Sequence, residues 1–444
     1  MTSVDPDDTG LLAPGWAGSP AASATTDTAY LQALLDAEAA ITRAQATLGL
    51  APAEAATAVA DAAVADRFDV RSLAERARGG GNPVIPLVAD LTKAVGEEHG
   101  PYVHRGATSQ DIMDTATMLV AARALALILA DLARTERALA RLAAEHRDTA
   151  MPARTLTQHA VPTTFGLKAA GWRSLVLDAR DRIEAVRGGL PAQLGGAAGT
   201  LAAFTAYGAR YPQALVAAYA RGLDLREPLL PWHTLRTPIA DLAGCLAFAA
   251  GALGKVAADV LALGRTEIAE VAEGSGGGSS AMPHKANPVR STLIAAAARR
   301  APQLAATLYG SLAAEDERPA GAWHAEWEPL RDLLRLVGGA ARDAAELAEG
   351  LRVNADAMRE HLGLTHGLIV SERLSAELAT VLGRARAKVL LTELARRTYA
   401  EGRPLAELLA EEPELKDVDL DELTDPARYT GAAASLTDRA LERR

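Results

Sequence analysis

The chain has 444 residues, of which 49% are hydrophobic and 23% are charged, a balance typical of a soluble globular enzyme rather than a disordered or fibrous protein. Its formal net charge is −10, and it contains no run of Lys and Arg of the kind found in nucleic-acid-binding proteins. We therefore expect no nucleic-acid partner. An anionic ligand would need a local cluster of cations.

Aromatic residues make up 4% of the chain and alanine is abundant, which favours closely packed helices over strands rich in aromatic and β-branched residues. The composition predicts an all-α fold. The single cysteine, Cys245, lies within an apolar helical pattern, so it excludes disulfides and a cysteine-rich metal site and is interpreted as a small buried hydrophobe rather than a nucleophile.

The first residues, MTSVDPDDTGLLAPG, are acidic and contain no basic region followed by an apolar run, so we expect no signal peptide and a cytoplasmic location. The most apolar windows are also interrupted by charges that would be costly in lipid. In the window from Ile239 to Leu263 these are Asp241, Lys255 and Asp259. The sequence predicts no membrane span.

Apolar residues first recur at helical spacing from Asp27 to Leu48 and from Ala53 to Ala77, after which residues 79–83 (GGGNP) end the pattern. The segment from Asp111 to Arg147 then runs about 37 residues without Pro or Gly, which as a helix is a rod of roughly 55 Å. Further long patterns are predicted at Pro162 to Arg187, Thr237 to Glu273, Pro288 to Leu312 and Trp327 to Leu351.

Helical patterns of this length without internal caps predict a central bundle shared between subunits. After Asn354 the predicted helices are shorter and are separated by Gly363, Gly383, Pro404 and Pro413. We therefore expect three domains: residues 1–110, residues 111–350 with a loop at 274–291, and residues 351–444.

The loop from Gly274 to Ser291 reads GSGGGSSAMPHKANPVRS and lies between two long apolar patterns. Its glycines and serines allow close approach of the backbone to a ligand and present N–H groups to an anion, while prolines stiffen the part that carries His284, Lys285 and Asn287. These features indicate a loop that holds an acidic substrate.

Two other kinds of loop are also rich in glycine. A flexible Gly/Ser linker would explain the first half of the segment but not Met-Pro-His-Lys-Ala-Asn-Pro in the second. A nucleotide P-loop is excluded because no Gly-Lys-Ser/Thr follows the glycines and no strand precedes them.

Two more polar segments each precede a long helical pattern. Residues 104–111 (HRGATSQD) contain a capping pair, Thr108 and Asp111, at a helix N-terminus that would attract a carboxylate, although an ordinary N-cap is the alternative. Residues 153–166 (ARTLTQHAVPTTFG) look like a polar loop, or capped turn, entering the next helix. The hypothesis is that the three polar segments converge on one site.

Together these segments resemble the fumarase/aspartase superfamily. Gly278 to Pro288 matches the superfamily string Gly-Ser-Ser-x-Met-Pro-x-Lys-x-Asn-Pro, and the His-x-Gly-x-Thr-Ser-x-Asp and Arg-Thr-x-x-Gln elements are present earlier in the chain in the right order. The chain looks most similar to the bacterial 3-carboxy-cis,cis-muconate cycloisomerases, through these elements and four weaker markers: residues 27–44, 321–331, 367–388 and 425–436.

The resemblance implies a three-domain fold with a long-helix bundle in a homotetramer, and active sites that draw the three motifs from different subunits. It implies reversible intramolecular addition of a carboxylate of 3-carboxymuconate to give a carboxymuconolactone, in the protocatechuate (β-ketoadipate) route of aromatic-acid degradation. No metal and no organic cofactor are expected, and the expected substrate is a small polycarboxylate.

The resemblance assigns the base to Ser279, with Ser280 as the alternative, and places Lys285 and Asn287 at the substrate carboxylate and the enolate. A serine base would need nearby N–H groups and the lysine charge to stabilise its alkoxide. Arg154 is either a binding cation or a structural ion-pair partner. The other expected substrate contacts are His104, Thr108, Ser109, Thr155, Gln158, His159, Met282 and Arg318.

Leu156 departs from the superfamily, whose lyases usually have histidine after Arg-Thr. A proton donor speeds the departure of an amine or hydroxide by about 10²–10⁴-fold, and leucine cannot supply one. A carboxylate leaves without a proton because its conjugate acid has a pKa near ~4. The leucine therefore favours a cycloisomerase, although His104 or His159 could replace the missing acid. A fumarate-releasing lyase and a non-catalytic structural relative remain the alternatives.

Overall fold

The computed structural model describes residues 10–274, 277, 278, 282 and 284–444. Helices dominate the structure, as the composition predicts. In chain order they are α1 Pro20–Ser23, α2 Asp27–Thr47, α3 Ala53–Ala62, α4 Val70–Gly80, α5 Val84–Val95, α6 Ser109–Glu145, α7 Phe165–Gly189, α8 Ala202–Ala206, α9 Pro212–Gly222, α10 Thr237–Leu263, α11 Val289–Gly310, α12 Ala322–Ala325, α13 Trp327–Gly350, α14 Ala355–Leu362, α15 Ser371–Leu382, α16 Arg384–Glu401, α17 Leu405–Ala410, α18 Leu420–Thr424 and α19 Ala433–Glu442.

Among the described residues, four strands form two small antiparallel pairs, β1 Ala150–Thr155 with β2 Gln158–Thr164 and β3 Val271–Ala272 with β4 Arg352–Val353. The all-α prediction is confirmed at the level of the fold class. The predicted helix from Thr237 to Glu273 was too long, because α10 ends at Leu263 and the chain turns into β3. The predicted helix from Ala53 to Ala77 is interrupted between α3 and α4.

The chain divides into two compact units, the first comprising residues 1–133, 178–254 and 293–344 and the second residues 134–177, 255–292 and 345–444. Each unit is made from non-contiguous segments, and the boundaries between these segments fall within the long helices. The division into three domains at residues 110 and 350, which was predicted from the sequence, remains a prediction.

In the first unit, α2 packs against α3, α4 and α9. Small side chains allow close helix packing there, because a Cβ at Gly254 on α10 would overlap the Cβ of Ala298 on α11. In the second unit, α15, α16 and α17 pack around a leucine-rich core that includes Leu374, Leu394 and Leu408. Burial raises the pKa of Cys245 on α10 to about 12, so its thiol is protonated.

In the part of the chain that the structure describes, two helices, α6 and α10, are long and apolar enough to cross a membrane by length and composition alone. In this chain 56% and 50% of their most apolar windows are buried. Core helices of soluble proteins pass the same test, so these helices are weak evidence for a membrane.

Candidate active site

The segment before α6 begins the candidate site in the first unit. The N–H of Thr108 donates to Asp111 Oδ2 at 3.0 Å, so the predicted capping pair forms in this direction. The Thr108 hydroxyl accepts a hydrogen bond from Arg318 Nη2 at 3.0 Å, and Arg318 Nε donates to Gln110 Oε1 at 3.0 Å. Two of the residues predicted to contact substrate, Thr108 and Arg318, therefore lie together.

The buried carboxylate of Asp111 holds this helix end against a second glycine-rich loop. Oδ1 accepts from Gly195 N at 2.8 Å and lies 2.8 Å from His233 Nε2, and Oδ2 accepts from Gly196 N at 2.9 Å. Arg318 Nη2 also reaches a backbone oxygen of this loop. This loop was not predicted to belong to the site, although its cluster of glycines is visible in the sequence.

Two residues of the same motif have left-handed backbone conformations. Gly106 has φ 88°, and a Cβ there would overlap the ring of Phe204, so only glycine fits. His104 has φ 55°, which is uncommon for a residue with a side chain and often marks a functional position. Its Nδ1 lies 2.7 Å from Glu38 Oε1.

In the second unit, the predicted polar loop at 153–166 is instead a β-hairpin that leads into α7. Arg154 pairs with His159, and Thr155 pairs with Gln158. Leu156 and Thr157 form the two-residue turn, with φ 48° and 73°. The sequence did not predict these strands, because polar residues recur along them and each strand contains a proline. The hairpin places Leu156 at its tip, where the side chain is 97% exposed.

The ion-pair interpretation of Arg154 agrees with the structure, since its guanidinium contacts the buried carboxylate of Glu270. His361 Nδ1 on α14 lies 2.7 Å from the same carboxylate. Neither partner was singled out from sequence, although Glu270 and Glu273 stand three residues apart just before the glycine-rich loop. A direct contact of Arg154 with substrate remains a prediction.

Two basic groups near this ion pair have lowered pKa values. Burial, followed by the positive charge of Arg154, lowers the pKa of His159, so the imidazole is neutral near pH 7. Burial also lowers the pKa of Lys168 on α7, although Asp259 opposes the shift. A neutral imidazole on the hairpin can accept a proton or a hydrogen bond.

The signature loop also belongs to the second unit. Both predicted bases, Ser279 and Ser280, lie outside the described residues. Asn287 exchanges two backbone hydrogen bonds with Gly277, of 2.9 and 3.0 Å, and the N–H of Lys285 donates to Met282 O at 3.0 Å. These bonds close the loop and leave the Lys285 side chain exposed.

Glu273 fixes the far end of the loop. Its buried carboxylate accepts from the N–H of Ser291 at 2.8 Å and from the Ser291 hydroxyl at 2.7 Å. The N–H of Arg290 donates to the other oxygen at 3.3 Å. The carboxylate therefore caps the N-terminus of α11, where unpaired N–H groups and the helix dipole favour a negative charge.

One chain thus carries the predicted residues in two groups. The first unit contains His104, Thr108, Ser109 and Arg318, and the second contains Arg154, Thr155, Gln158, His159, Met282, Lys285 and Asn287. Their convergence on one site remains a prediction. In the described part of the chain, no three His, Cys, Asp or Glu side chains are grouped as metal ligands would be.

The arrangement of motifs agrees with comparisons to known families. Residues 17–302 match the family model described as lyase, and residues 367–440 match the model of the adenylosuccinate lyase C-terminus. The chain belongs to this lyase family, within the fumarase/aspartase superfamily. Enzymes of the superfamily act on small carboxylates and are typically oligomeric.

Individual relatives differ in the reaction for which they are named. Nitrosuccinate lyase of Streptomyces davaonensis is 54% identical over 98% of this chain and 94% of that protein. The 3-carboxy-cis,cis-muconate cycloisomerase of Bradyrhizobium diazoefficiens is 43% identical over 97% of each chain. The crystal structure of 3-carboxy-cis,cis-muconate lactonizing enzyme from Pseudomonas putida has a TM-score of 0.88 and 42% identity, over 94% of each chain.

Proposed function

We propose that this chain is a lyase that eliminates a stable anion from a small polycarboxylate, and that its substrate is nitrosuccinate, which it splits into fumarate and nitrite. The observation that carries the proposal is Leu156 at the hairpin tip, where this superfamily's lyases usually have a proton-donating histidine. The 54% identity to a nitrosuccinate lyase supports nitrite as the departing anion.

A leaving group determines whether an enzyme needs an acid. Amines and hydroxide leave only when they are protonated, and a positioned acid contributes about 10²–10⁴-fold to such steps. Nitrite is the anion of nitrous acid, which is about as acidic as a carboxylic acid, so nitrite leaves without a proton, as a carboxylate does. An exposed leucine is therefore compatible with loss of nitrite and unfavourable for loss of an amine or water.

The elimination moves one proton and one electron pair. A base removes a proton from the CH₂ carbon of nitrosuccinate, the carbon–carbon double bond forms, and the C–N bond breaks with its electron pair leaving on nitrite. The products are fumarate, nitrite and one proton, so atoms and charge balance. The enolate-like intermediate carries extra negative charge, and stabilising that charge is the main catalytic task.

We assign the base to Ser279, with Ser280 as the alternative, by resemblance to the superfamily. Lys285 and Asn287 would stabilise the enolate and the carboxylate beside it. His104 and Arg318 would act as cations, with Thr108 and Ser109 at the N-terminus of α6. Arg154, Thr155, Gln158 and His159 would donate hydrogen bonds to the substrate, and Met282 would contact it.

A second candidate is 3-carboxy-cis,cis-muconate cycloisomerase activity, in aromatic-acid degradation. It is favoured by the relatives at 43–44% identity and by the same leaving-group argument, since lactone opening expels a carboxylate. The proton removed from carbon and the stabilised enolate are common to both reactions. The two candidates therefore differ in the pocket walls and not in the catalytic residues.

We further propose a cytoplasmic homotetramer in which different subunits supply the three motifs of each active site. The typically oligomeric state of enzymes in this superfamily supports this assembly. The three-domain division at residues 110 and 350 is proposed on the same resemblance. Dilution below the tetramer's dissociation range should then abolish activity.

The deciding experiment measures two products in parallel from purified protein with a metal chelator. Nitrite is measured colorimetrically with nitrosuccinate as substrate, and loss of diene ultraviolet absorbance is measured with 3-carboxy-cis,cis-muconate. Ser279→Ala is the control for both. Rapid nitrite release that this substitution abolishes supports the first proposal.

Diene loss without nitrite release would overturn the first proposal in favour of the cycloisomerase. Fumarate release from adenylosuccinate or argininosuccinate would contradict the leaving-group argument itself. If a correctly folded oligomer acts on none of these substrates, a non-catalytic relative becomes the better interpretation.

A further inference from the structure

Helix α2 presents a row of polar side chains to the segment that precedes α6. Glu38, Thr42 and Gln45 lie on one face of the helix and are at most 2% exposed. The Thr42 hydroxyl donates to Tyr102 O at 3.3 Å, and Gln45 Nε2 donates to Arg105 O at 2.7 Å. The helix therefore holds the backbone on both sides of His104.

The remaining member of the row contacts the imidazole itself. Glu38 Oε1 lies 2.7 Å from His104 Nδ1, and the two side chains are 0% and 19% exposed. Glu38 Oε2 has no hydrogen-bond partner among the residues that the structure describes. A buried carboxylate with so few partners is costly unless its partner is positively charged. The pair is therefore best satisfied as glutamate and imidazolium.

The groups around His104 favour the same charge state. Burial opposes protonation, but the charge and hydrogen bond of Glu38, together with the charge of Asp111 on α6, raise the pKa of His104. Tyr219 on α9 adds no charge, because burial raises its pKa well above the ordinary value. The guanidinium of Arg105 lies over two tyrosine rings. Glu38 is thus the group in direct contact with the imidazole.

We propose that Glu38 is a positioning residue that holds His104 as an imidazolium, with Nδ1–H donated to the glutamate and Nε2–H free to bind a carboxylate or nitro oxygen of the substrate. This inference rests on the proposed function, because it makes His104 one of the cations of the site. The left-handed backbone of His104 fits this role, since a strained conformation is maintained by the bonds to α2.

The proposal explains two features of the sequence together. The chain is acidic overall, so an anionic substrate needs a local cation, and a histidine with an ordinary pKa near ~6.5 would be mostly neutral at pH 7. A buried glutamate converts that histidine into a cation without adding a lysine or arginine. Glu38 also lies in the segment from Asp27 to Ala44, one of the weaker markers of the resemblance to the cycloisomerases. Its contact with His104 is a physical reason for that similarity.

The test uses the intact oligomer and Glu38→Gln, which removes the charge but keeps the volume and one acceptor for Nδ1–H. Histidines are labelled with ¹⁵N, and the His104 signal is assigned by its loss in His104→Gln. In Glu38→Gln we expect a lower His104 pKa, weaker binding of succinate as a probe, and a kcat/KM reduced about 10–100-fold with its alkaline limb moved to lower pH.

Two further variants control for folding. Glu349→Gln removes a carboxylate from an exposed ion pair with Arg134 and should change neither the His104 titration nor succinate binding. Glu38→Asp keeps the charge on a shorter side chain and should keep the His104 pKa above that of Glu38→Gln. A purely structural Glu38 would not give this difference between the aspartate and glutamine variants.

The proposal is overturned if His104 titrates at its ordinary pKa in the unmodified protein, or if Glu38→Gln leaves the titration and succinate binding unchanged. Its failure can be distinguished from failure of the proposed reaction. If the protein converts neither nitrosuccinate nor 3-carboxymuconate, yet succinate binding still depends on Glu38, the proposed reaction fails and the role of Glu38 is supported.

Discussion

Arg154 and Glu270 form a two-point ion pair in the second unit, from Nη1 to Oε2 at 2.9 Å and from Nη2 to Oε1 at 2.7 Å. The Arg154 side chain is 20% exposed and that of Glu270 is fully buried. Because Arg154 is on β1, next to the hairpin turn, and His361 contacts the same carboxylate, Glu270 joins the hairpin to α14. The pair thus orients the strand that carries Thr155 and ends at Leu156.

Replacing Glu270 with glutamine should therefore damage both stability and activity. The substitution leaves the Arg154 charge without a partner in a mostly buried position, and such losses cost about 3–5 kcal/mol. Urea unfolding at a fixed protein concentration measures the stability, and kcat/KM measures the orientation of the hairpin. Glu349→Gln, in an exposed pair, should cost less than about 1 kcal/mol. Equal costs for the two variants would contradict a special role for Glu270.

The sequence predicted the long helices well because their apolar spacing is a local property. The predicted segment Asp111 to Arg147 corresponds to α6, Ser109–Glu145. It did not predict where α10 ends, because the chain after Leu263 turns into β3, whose partner β4 lies far along the chain. Pairing between distant segments leaves no local pattern.

Introducing a proton donor at Leu156 tests the leaving-group argument. Leu156→His should change the rate of nitrite release by less than about ten-fold, because nitrite leaves without a proton. A general acid that mattered would raise the rate by about 10²–10⁴-fold. The measurement is kcat for nitrite release across pH 5–8.

Leu156→Asn is the matched control for this experiment. Asparagine tolerates a φ of 48° better than leucine or histidine and has no acidic proton to donate. Leu156→Asn therefore separates the effect of relieving backbone strain in the turn from the effect of donating a proton. A hundred-fold gain in Leu156→His that is missing from Leu156→Asn would mean that the natural leaving group requires protonation, which would argue against both nitrite and a carboxylate.

Some residues of the candidate site could be predicted from the sequence, and others could not. Thr108 and Asp111 were recognisable because a capping pair has a fixed spacing, and the loop around Lys285 was recognisable from its glycines and prolines. Glu38 and Glu270 were not recognised, because a glutamate in an alanine-rich helix or before a loop looks like an ordinary surface charge. Their burial depends on distant partners that only the folded chain brings near.

The lowered pKa of His159 predicts an acid limb in the pH profile. Burial and Arg154 disfavour the imidazolium in the folded chain, so the imidazole stays neutral at and above its ordinary pKa near ~6.5. As pH falls below that value, protonation favours the unfolded state, and both stability and any activity that needs neutral His159 are lost. His159→Asn should remove the acid limb of kcat/KM that lies below the ordinary histidine pKa of ~6.5. An unchanged limb would assign it to another group.

Asp111→Asn should loosen the start of α6 and raise KM more than it lowers kcat. Oδ1 faces His233 Nε2 and Gly195 N, and Oδ2 faces the N–H groups of Thr108 and Gly196. An asparagine in either orientation points its NH₂ group at two of these donors, which then lose their acceptor in a buried site. The cost should be on the order of 3 kcal/mol.

Urea unfolding and steady-state kinetics with the preferred substrate measure the two effects of Asp111→Asn. Asp438→Asn, which removes an exposed partner of Arg147, is the control and should leave KM unchanged. If Asp111→Asn lowered stability but left KM unaltered, the helix end would not bind substrate, and Asp111 would serve only to pack the loop of Gly195 and Gly196 against α6. A raised KM with a near-normal kcat would instead place the N-terminus of α6 in contact with the bound carboxylate.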